Sequence, residues 1–376
     1  MGSYAPFYGN RGRFWLIAVS LGAALALPPR QASAYAQFNL VSDLPGVAPV
    51  TDPNLVNPWG LSSSGTSPIW VSDNGSDVST LYNGAGQPFP VGSPLVVSIP
   101  DLAPTGQVNN PNSTNFGGAH FIFASENGGI DAWTSGTSAV SKAVTASAVY
   151  KGLAIGTSNS GPTLYATNFN SGKIDVFNNS FVAASLSGSF TDPNLPSGYA
   201  PFGIQNINGK LYVTYAVQDS AKHDDVAGPG NGIVDVFDTN GNFLQRLVSN
   251  GSSSPLNSPW GLALAPSNFG QFSGDLLVGN FGDGTINAFD PTTGAFLGTI
   301  DDPNGNPIVI EGLWGLLFGN GGNGGATDQL FFSAGIPGPG NIEDHGLFGD
   351  ITVPEPSTLA MLASGLVLLG VRRRRA

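Results

Sequence analysis

The sequence predicts an all-β fold, a six-bladed β-propeller of four-stranded blades, and three observations lead there. First, a short phrase recurs: Asn57-Pro58-Trp59-Gly60-Leu61 is echoed by Ala200-Pro201-Phe202-Gly203-Ile204, Ser258-Pro259-Trp260-Gly261-Leu262 and Gly312-Leu313-Trp314-Gly315-Leu316, with Lys151-Gly152-Leu153-Ala154 a weaker copy. Second, each copy is followed by short alternating strands, such as Leu211-Tyr212-Val213-Thr214 and then Ile233-Val234-Asp235-Val236-Phe237. Third, Asp- and Gly-containing turns, Asp238 to Gly241 and Asp290 to Gly294, lead into a further strand such as Phe243 to Leu247. Four short strands per repeat, joined by Gly/Asn/Asp turns, make a propeller blade. One such sheet cannot bury both apolar faces alone, so blades stack around an axis. A pair of β-sandwiches, the rival architecture, explains neither the period nor the recurrent phrase.

The blades are expected to begin near residues 57, 116, 151, 200, 258 and 312. The divergent second one takes Phe121-Ile122-Phe123-Ala124 and Gly129-Ile130-Asp131-Ala132-Trp133 as strands. The last shows only three strands: Trp314 to Phe318, Gln329 to Ser333 and Gly346 to Thr352. The segment Gln37 to Asp43 has no other home and is expected to pair as the outer strand of the sixth blade, which removes exposed edges by closing the ring. In each phrase the Gly lets inner strands crowd the axis, and the aromatic fills the wedge between blades.

Both ends of the chain read as targeting segments. Arg11 and Arg13 precede the apolar stretch Phe14 to Leu27, and Ala32-Ser33-Ala34 supplies an A-x-A site, so residues 1–34 are expected to be a signal peptide cut after Ala34. Ala34-Tyr35-Ala36 is an overlapping second site. At the other end, residues 354–376 run Pro354-Glu355-Pro356, an apolar stretch from Leu359 to Val371, then Arg372, Arg373, Arg374 and Arg375. The stretch predicts a short transmembrane helix with the arginines held on the cytoplasmic side. The propeller is then residues 35–353. This body keeps six bases against 24 acids, a net charge of −18. No basic stripe remains to meet phosphates, so nucleic acid is not a partner. The chain has no cysteine, which excludes thiol catalysis, Cys-ligated metal and disulfides and leaves stability to a large core.

The tail resembles the PEP-CTERM sorting segment. That resemblance implies recognition and cutting by a membrane protease, exosortase, with transient inner-membrane anchoring followed by release to the cell surface or extracellular space of a Gram-negative bacterium that makes exopolysaccharide. Asn206 to Asp238 and Trp260 to Asp290 resemble the NHL-type propeller repeat. On the stretches Lys222 to Gly232, Asn280-Phe281-Gly282-Asp283-Gly284 and His345-Gly346-Leu347-Phe348-Gly349, the whole chain resembles uncharacterised exported bacterial propellers.

Candidate chemistry is sparse. His223-Asp224-Asp225 lies in a long Gly-rich insertion after a blade's second strand, and loops of that length often carry function. Of the other two histidines, His120 starts an apolar strand, while His345 opens the last strand beside Glu343 and Asp344 and is a possible base or ligand. Oxygen-rich turns at Asp73 to Asp77 and Asp301 to Asn306 suit Ca²⁺, the one cofactor the residues suggest. None completes an EF-hand, and Asp, Asn and Gly also form turns on their own account. No zinc-type spacing, nucleophile elbow, phosphate loop or dinucleotide fingerprint is present. Two functions follow. One is a binding or structural module for exopolysaccharide or envelope proteins. The other is a metal-dependent hydrolase or lyase at a channel mouth, with His223, Asp224, Asp225, Asp283, Glu311 and His345 as candidates and Asp73, Asp77, Asp301 and Asp302 as possible metal ligands.

Overall fold

The recurrent glycine explains the ring. In the computed structural model, which describes residues 1–3, 35–339 and 343–353, six inner strands line an axis: Pro58–Ser62, Pro104–Asn109, Tyr150–Ser158, Tyr199–Ile207, Pro259–Leu264 and Leu313–Phe318. A Cβ added at Gly60 would press within 3.0 Å of Thr105 backbone, at Gly203 of Trp260, at Gly261 of Trp314, and at Gly315 of Trp59, which closes the circle. No other residue type allows backbones to approach so closely. Among the described residues there is no α-helix, only three one-turn 3₁₀ segments. Residues 1–3, in the unit that ends at Ala32, carry no regular element, and the propeller lies in the unit from Ser33 onward.

Each inner strand pairs antiparallel with the next strand in sequence, and four blades are complete four-stranded sheets on their own. The blade of Tyr150–Asn178 has three named strands and gains a short fourth edge where Ala184 N–H donates to Val176 O at 2.8 Å. The second blade corrects the sequence reading. It begins at Pro104, not near 116, because its inner strand reads Pro104-Thr105-Gly106-Gln107 and lacks the aromatic and the leucine of the phrase. Phe116–Gly118 is instead a 3₁₀ turn between its first and second strands.

The ring closes as the sequence predicts. Ala36–Ser42 pairs antiparallel with His345–Thr352, from Ala36 opposite Thr352 to Ser42 opposite Leu347. Tyr35 anchors the start: it is fully buried, its ring stacks on Phe272, and its hydroxyl donates to Phe269 O at 3.1 Å. Apolar side chains fill all six gaps between neighbouring blades, for example Leu277, Leu313 and Phe332 in one and Val71, Phe331 and Phe348 in another. A further cluster, Trp59, Phe169, Phe202, Trp260 and Trp314, surrounds the axis. Each gap between blades therefore removes apolar sheet faces from water, which drives closure, and side-chain hydrogen bonds such as Thr105 Oγ1 to Tyr150 O and Thr167 Oγ1 to Phe202 O join neighbouring blades.

No helix among the described residues is long and apolar enough to cross a membrane. The signal segment with Ala34, the Pro354-Glu355-Pro356 tail, the C-terminal apolar stretch and Arg372 to Arg375 lie outside the described residues.

Candidate functional site

The inner strands all run the same way, so the channel has an upper mouth where they begin and a lower mouth where they end. Every turn from a second to a third strand arrives at the upper mouth, bringing Asn74, Glu126, Asn170, the insertion 218–232, Asp283 and Glu343 to one rim. Just below lies the aromatic register of the repeated phrase, and there Lys151 stands where other blades hold Trp59, Phe202, Trp260 or Trp314.

Lys151 organises this mouth. The residue is 1 % exposed, and its ammonium lies 5.0 Å from the centre of the Trp59 ring, a cation–π contact. It pairs with Glu126 Oε1 and, at 3.3 Å, with Asp224 Oδ1. Asp224 Oδ1 also meets His223 Nδ1 at 2.9 Å, and Glu126 Oε2 accepts from Asn74 Nδ2 at 3.1 Å. Beneath, Trp59 stacks on Trp314 at 3.6 Å and Phe281 covers Trp314 at 4.2 Å. The indole N–H groups are all engaged: Trp59 donates to Asn57 Oδ1, Trp260 to Lys151 O and Trp314 to Glu343 Oε2, at 3.0 to 3.1 Å. Gly335 leaves the room that the Asn57 amide and Glu343 carboxylate occupy.

The carboxyl groups of this mouth are driven apart in acidity. Burial pushes Glu343 up to about 7, against the opposing Trp314 N–H. Burial also raises Asp225, whose Oδ2 is buried without a partner, and the Ser258 hydroxyl and Lys151 charge only moderate this. Asp224 is the reverse case: burial pulls upward, but Lys151 and His223 outweigh it and hold the group below its ordinary value. Of these groups Glu343, raised to about 7, is the one placed to exchange a proton near neutral pH.

Of the residues expected from sequence, His223, Asp224 and Asp225 stand together here. The others stand apart. Asp283 caps its own turn, accepting from Thr285 N–H at 3.1 Å and from Asn257 Nδ2 at 3.2 Å. Glu311 is exposed in the turn before the last inner strand. His345 pairs with Asp43 at 2.7 Å, and Asp43 also takes the Gly346 N–H, so this histidine pins the closing strand. Its pKa is raised, first by that hydrogen bond and further by the Asp43 and Asp344 charges.

The acidic turns are held mainly by local hydrogen bonds, with Asp73 Oδ1 left buried without a partner among the described residues. Asp73 is fully buried and accepts from Thr80 N–H and Oγ1 at 3.0 and 2.8 Å, while Asp77 takes the Ala103 N–H at 2.8 Å. Asp302 accepts from the Asn304 and Asn306 N–H groups at 2.8 and 2.9 Å, and Asp301 contributes its carbonyl to Tyr35 N–H.

Among the described residues, one group has metal-ligand spacing: Glu126, His223 and Asp224, with ligand atoms within 4.8 Å of one another. The set mixes imidazole with carboxylates, unlike the all-oxygen shell of calcium, and the Lys151 ammonium already bridges both carboxylates. It therefore suits Ca²⁺ poorly. Sequence reasoning missed Lys151, Glu126 and Glu343. The available signal was the weaker copy of the phrase: aligning Gly152 with Gly60 puts Lys151 at the axis.

Fold and rim together define a class, a six-bladed propeller whose upper channel mouth is closed by charged side chains around a buried lysine. Residues 352–375 match the PEP-CTERM protein-sorting motif, which implies an exported protein that passes a membrane. The chain is 33% identical over 310 residues to uncharacterized protein R648 of Acanthamoeba polyphaga mimivirus, covering 77% of this chain and 75% of that one. It is 32% identical over 309 residues to uncharacterized protein L690 of the same virus, covering 77% and 80%. It belongs to the family of these two proteins. These relatives are viral, where the sequence resemblance pointed to bacterial ones. Among solved structures, a streptogramin B lyase aligns with a TM-score of 0.46 at 12% identity, over 85% of this chain and 97% of that one.

Proposed function

We propose that this protein is an exported, exosortase-sorted propeller that works as a non-catalytic binding module at the cell surface or in the extracellular matrix, with sugar polymers or envelope proteins as partners. The sorting motif over residues 352–375 carries the reading. The upper mouth supports it, because Lys151, Glu126, Asp224 and the Trp indoles are engaged with one another and form a closed rim. In this reading the signal peptide is cut after Ala34 and not after Ala36, since the second cut would remove the fully buried Tyr35. The test is fractionation of cells of an exosortase-bearing Gram-negative host expressing the chain and a variant with Pro354, Glu355 and Pro356 replaced by alanine. Wild type is expected at the surface or in the medium, with Tyr35 as its first residue, and the variant is expected to stay with the inner membrane. Identical distribution of the two would overturn the sorting reading. Failure of the wild-type chain to bind any extracellular glycan or envelope fraction would overturn the binding reading.

A second reading, a hydrolase or lyase at the upper mouth, draws support from the opposed shifts of Glu343 and Asp224. Glu343 would then be the group that exchanges a proton, with Glu126, His223 and Asp224 as the ligands of any metal. Loss of a detected turnover in both Asp225→Ala and Glu343→Gln would establish it, and retention in both would remove it.

A further inference from the structure

The lower mouth offers open volume. Two adjoining cavities of about 300 and 370 Å³ lie there, sharing Pro111, Ile155 and Asn206. Both fall at the lower end of the range for pockets that hold small ligands. No Lys, Arg, His, Asp or Glu lines either one, in a body with a net charge of −18.

The walls combine aliphatic side chains with free amides and hydroxyls. Gln107 sets the floor. Its Nε2 donates to Gly60 O at 2.7 Å and to Trp70 O at 2.8 Å, which fixes the amide orientation and leaves Oε1 buried without a partner. Gln205 lines the same cavity, and its side-chain amide and the Ser62 and Ser63 hydroxyls have no hydrogen-bond partner among the described residues. Leu61, Val108 and Ile155 supply the apolar surface between them. Above, the channel narrows to about 30 Å³ between Gly60, Gly106, Gly152 and Gly315, room for water and nothing larger.

We infer that the lower mouth binds the end of a neutral, hydroxyl-rich chain, that is, the terminal units of an uncharged polysaccharide. A charged ligand would find no countercharge and would lose its hydration on entering, and an acidic polymer would also be repelled by the body. Amides and serines both donate and accept, as sugar hydroxyls do. The aliphatic patches cover the C–H faces of a sugar ring. Because the waist is closed to anything larger than water, a polymer cannot thread the channel, so the site takes a chain end.

This inference rests on the reading of the chain as a binding module and gives that module a site. The test is isothermal titration of the full-length chain, in detergent, with maltohexaose and cellohexaose as neutral probes, glucose as the free-sugar arm and oligo-alginate as the acidic control. Gln205→Ala and the cavity-filling Ser63→Trp are run beside wild type, with thermal midpoints as the check of folding. Binding of a neutral hexasaccharide, at least tenfold weaker in either folded variant, with no heat from alginate, is expected. A response to glucose equal to that of the hexasaccharides would replace the chain end by a free sugar. No heat from any neutral probe, or equal binding by wild type and both variants, overturns the site. If the same wild-type chain is then retained on an envelope fraction, only the site falls and the binding-module reading stands.

Discussion

The two mouths of one channel are built by the same six strands, and they differ in what closes them. At the upper mouth, turns and one long insertion bring Lys151, Glu126, Asp224 and His223 into one paired set, with Glu343 held by the Trp314 indole and Asp225 Oδ2 left buried without a partner among the described residues. At the lower mouth, the same strands end in amides, serines and aliphatic residues around two open cavities. Ionisable residues therefore mark the end that holds itself shut, and neutral residues mark the end that is open. A cluster of charges is a poor pointer to a ligand unless its partners are counted first.

The largest expected effect breaks the upper mouth. Lys151→Met leaves the largely buried Glu126 carboxylate without its cation and is expected to destabilise the protein by about 3 kcal/mol, a typical loss when one partner of a buried pair is removed. Urea unfolding at neutral pH checks this, and a loss under about 0.5 kcal/mol would place Lys151 among ordinary surface residues.

Next comes pH. Glu343 is held as the acid in the fold, so it contributes stability that falls as pH rises from its ordinary 4.5 through about 7. The whole shift is worth at most about 3 kcal/mol. Glu343→Gln keeps an acceptor for the Trp314 N–H and removes the titration, so its advantage over wild type is expected to grow between pH 5 and pH 7 in thermal scans. A constant difference across that range would show that Glu343 titrates normally.

The closing strand gives a smaller dependence of the same sign by a different route. His345 is raised by Asp43, so its contribution is complete below about pH 6.5 and fades as pH rises through the raised value. Asp43→Asn should abolish this part and leave the Glu343 part intact, which separates the two in a pH series.

The smallest effects belong to the lower mouth. Gln205→Ala removes no hydrogen bond within the protein and is expected to change stability by no more than about 0.5 kcal/mol. A larger loss by denaturant titration would mean that this end, too, is held by its polar groups.

Much of this molecule was legible in its sequence, and what was not has a common cause. Repetition made the blades readable, because Pro201-Phe202-Gly203 and Pro259-Trp260-Gly261 keep both the close-approach glycine and the aromatic, although the aromatics gather around the axis and do not fill the wedges between blades as expected. The orphan segment from Gln37 found its place in the sixth blade by the same logic. Where a copy lost the aromatic, reading failed: Pro104-Thr105-Gly106-Gln107 keeps the proline and glycine alone, and the second blade is expected too late, near residue 116. Lys151 was hidden for the same reason, since a lysine in an aromatic's position looks like a decayed repeat. Length exposed the insertion around His223, but its partners Glu126 and Lys151 sit on other blades, and only ring geometry brings them together. His345 was conspicuous by type, yet its role is to pin a strand more than 300 positions away through Asp43. Gln107 and Gln205 carry no signal that distinguishes them from any other strand amide.

The most direct test of the self-closed upper mouth is a double-mutant cycle between Lys151→Met and Glu126→Gln, measured by urea unfolding of the full-length chain. A coupling of about 2 kcal/mol, with the double variant more stable than the sum of the two single losses implies, is the result expected for a buried pair. Additive losses within about 0.5 kcal/mol would contradict it, and would mean that the charges of the upper mouth are free to serve a ligand.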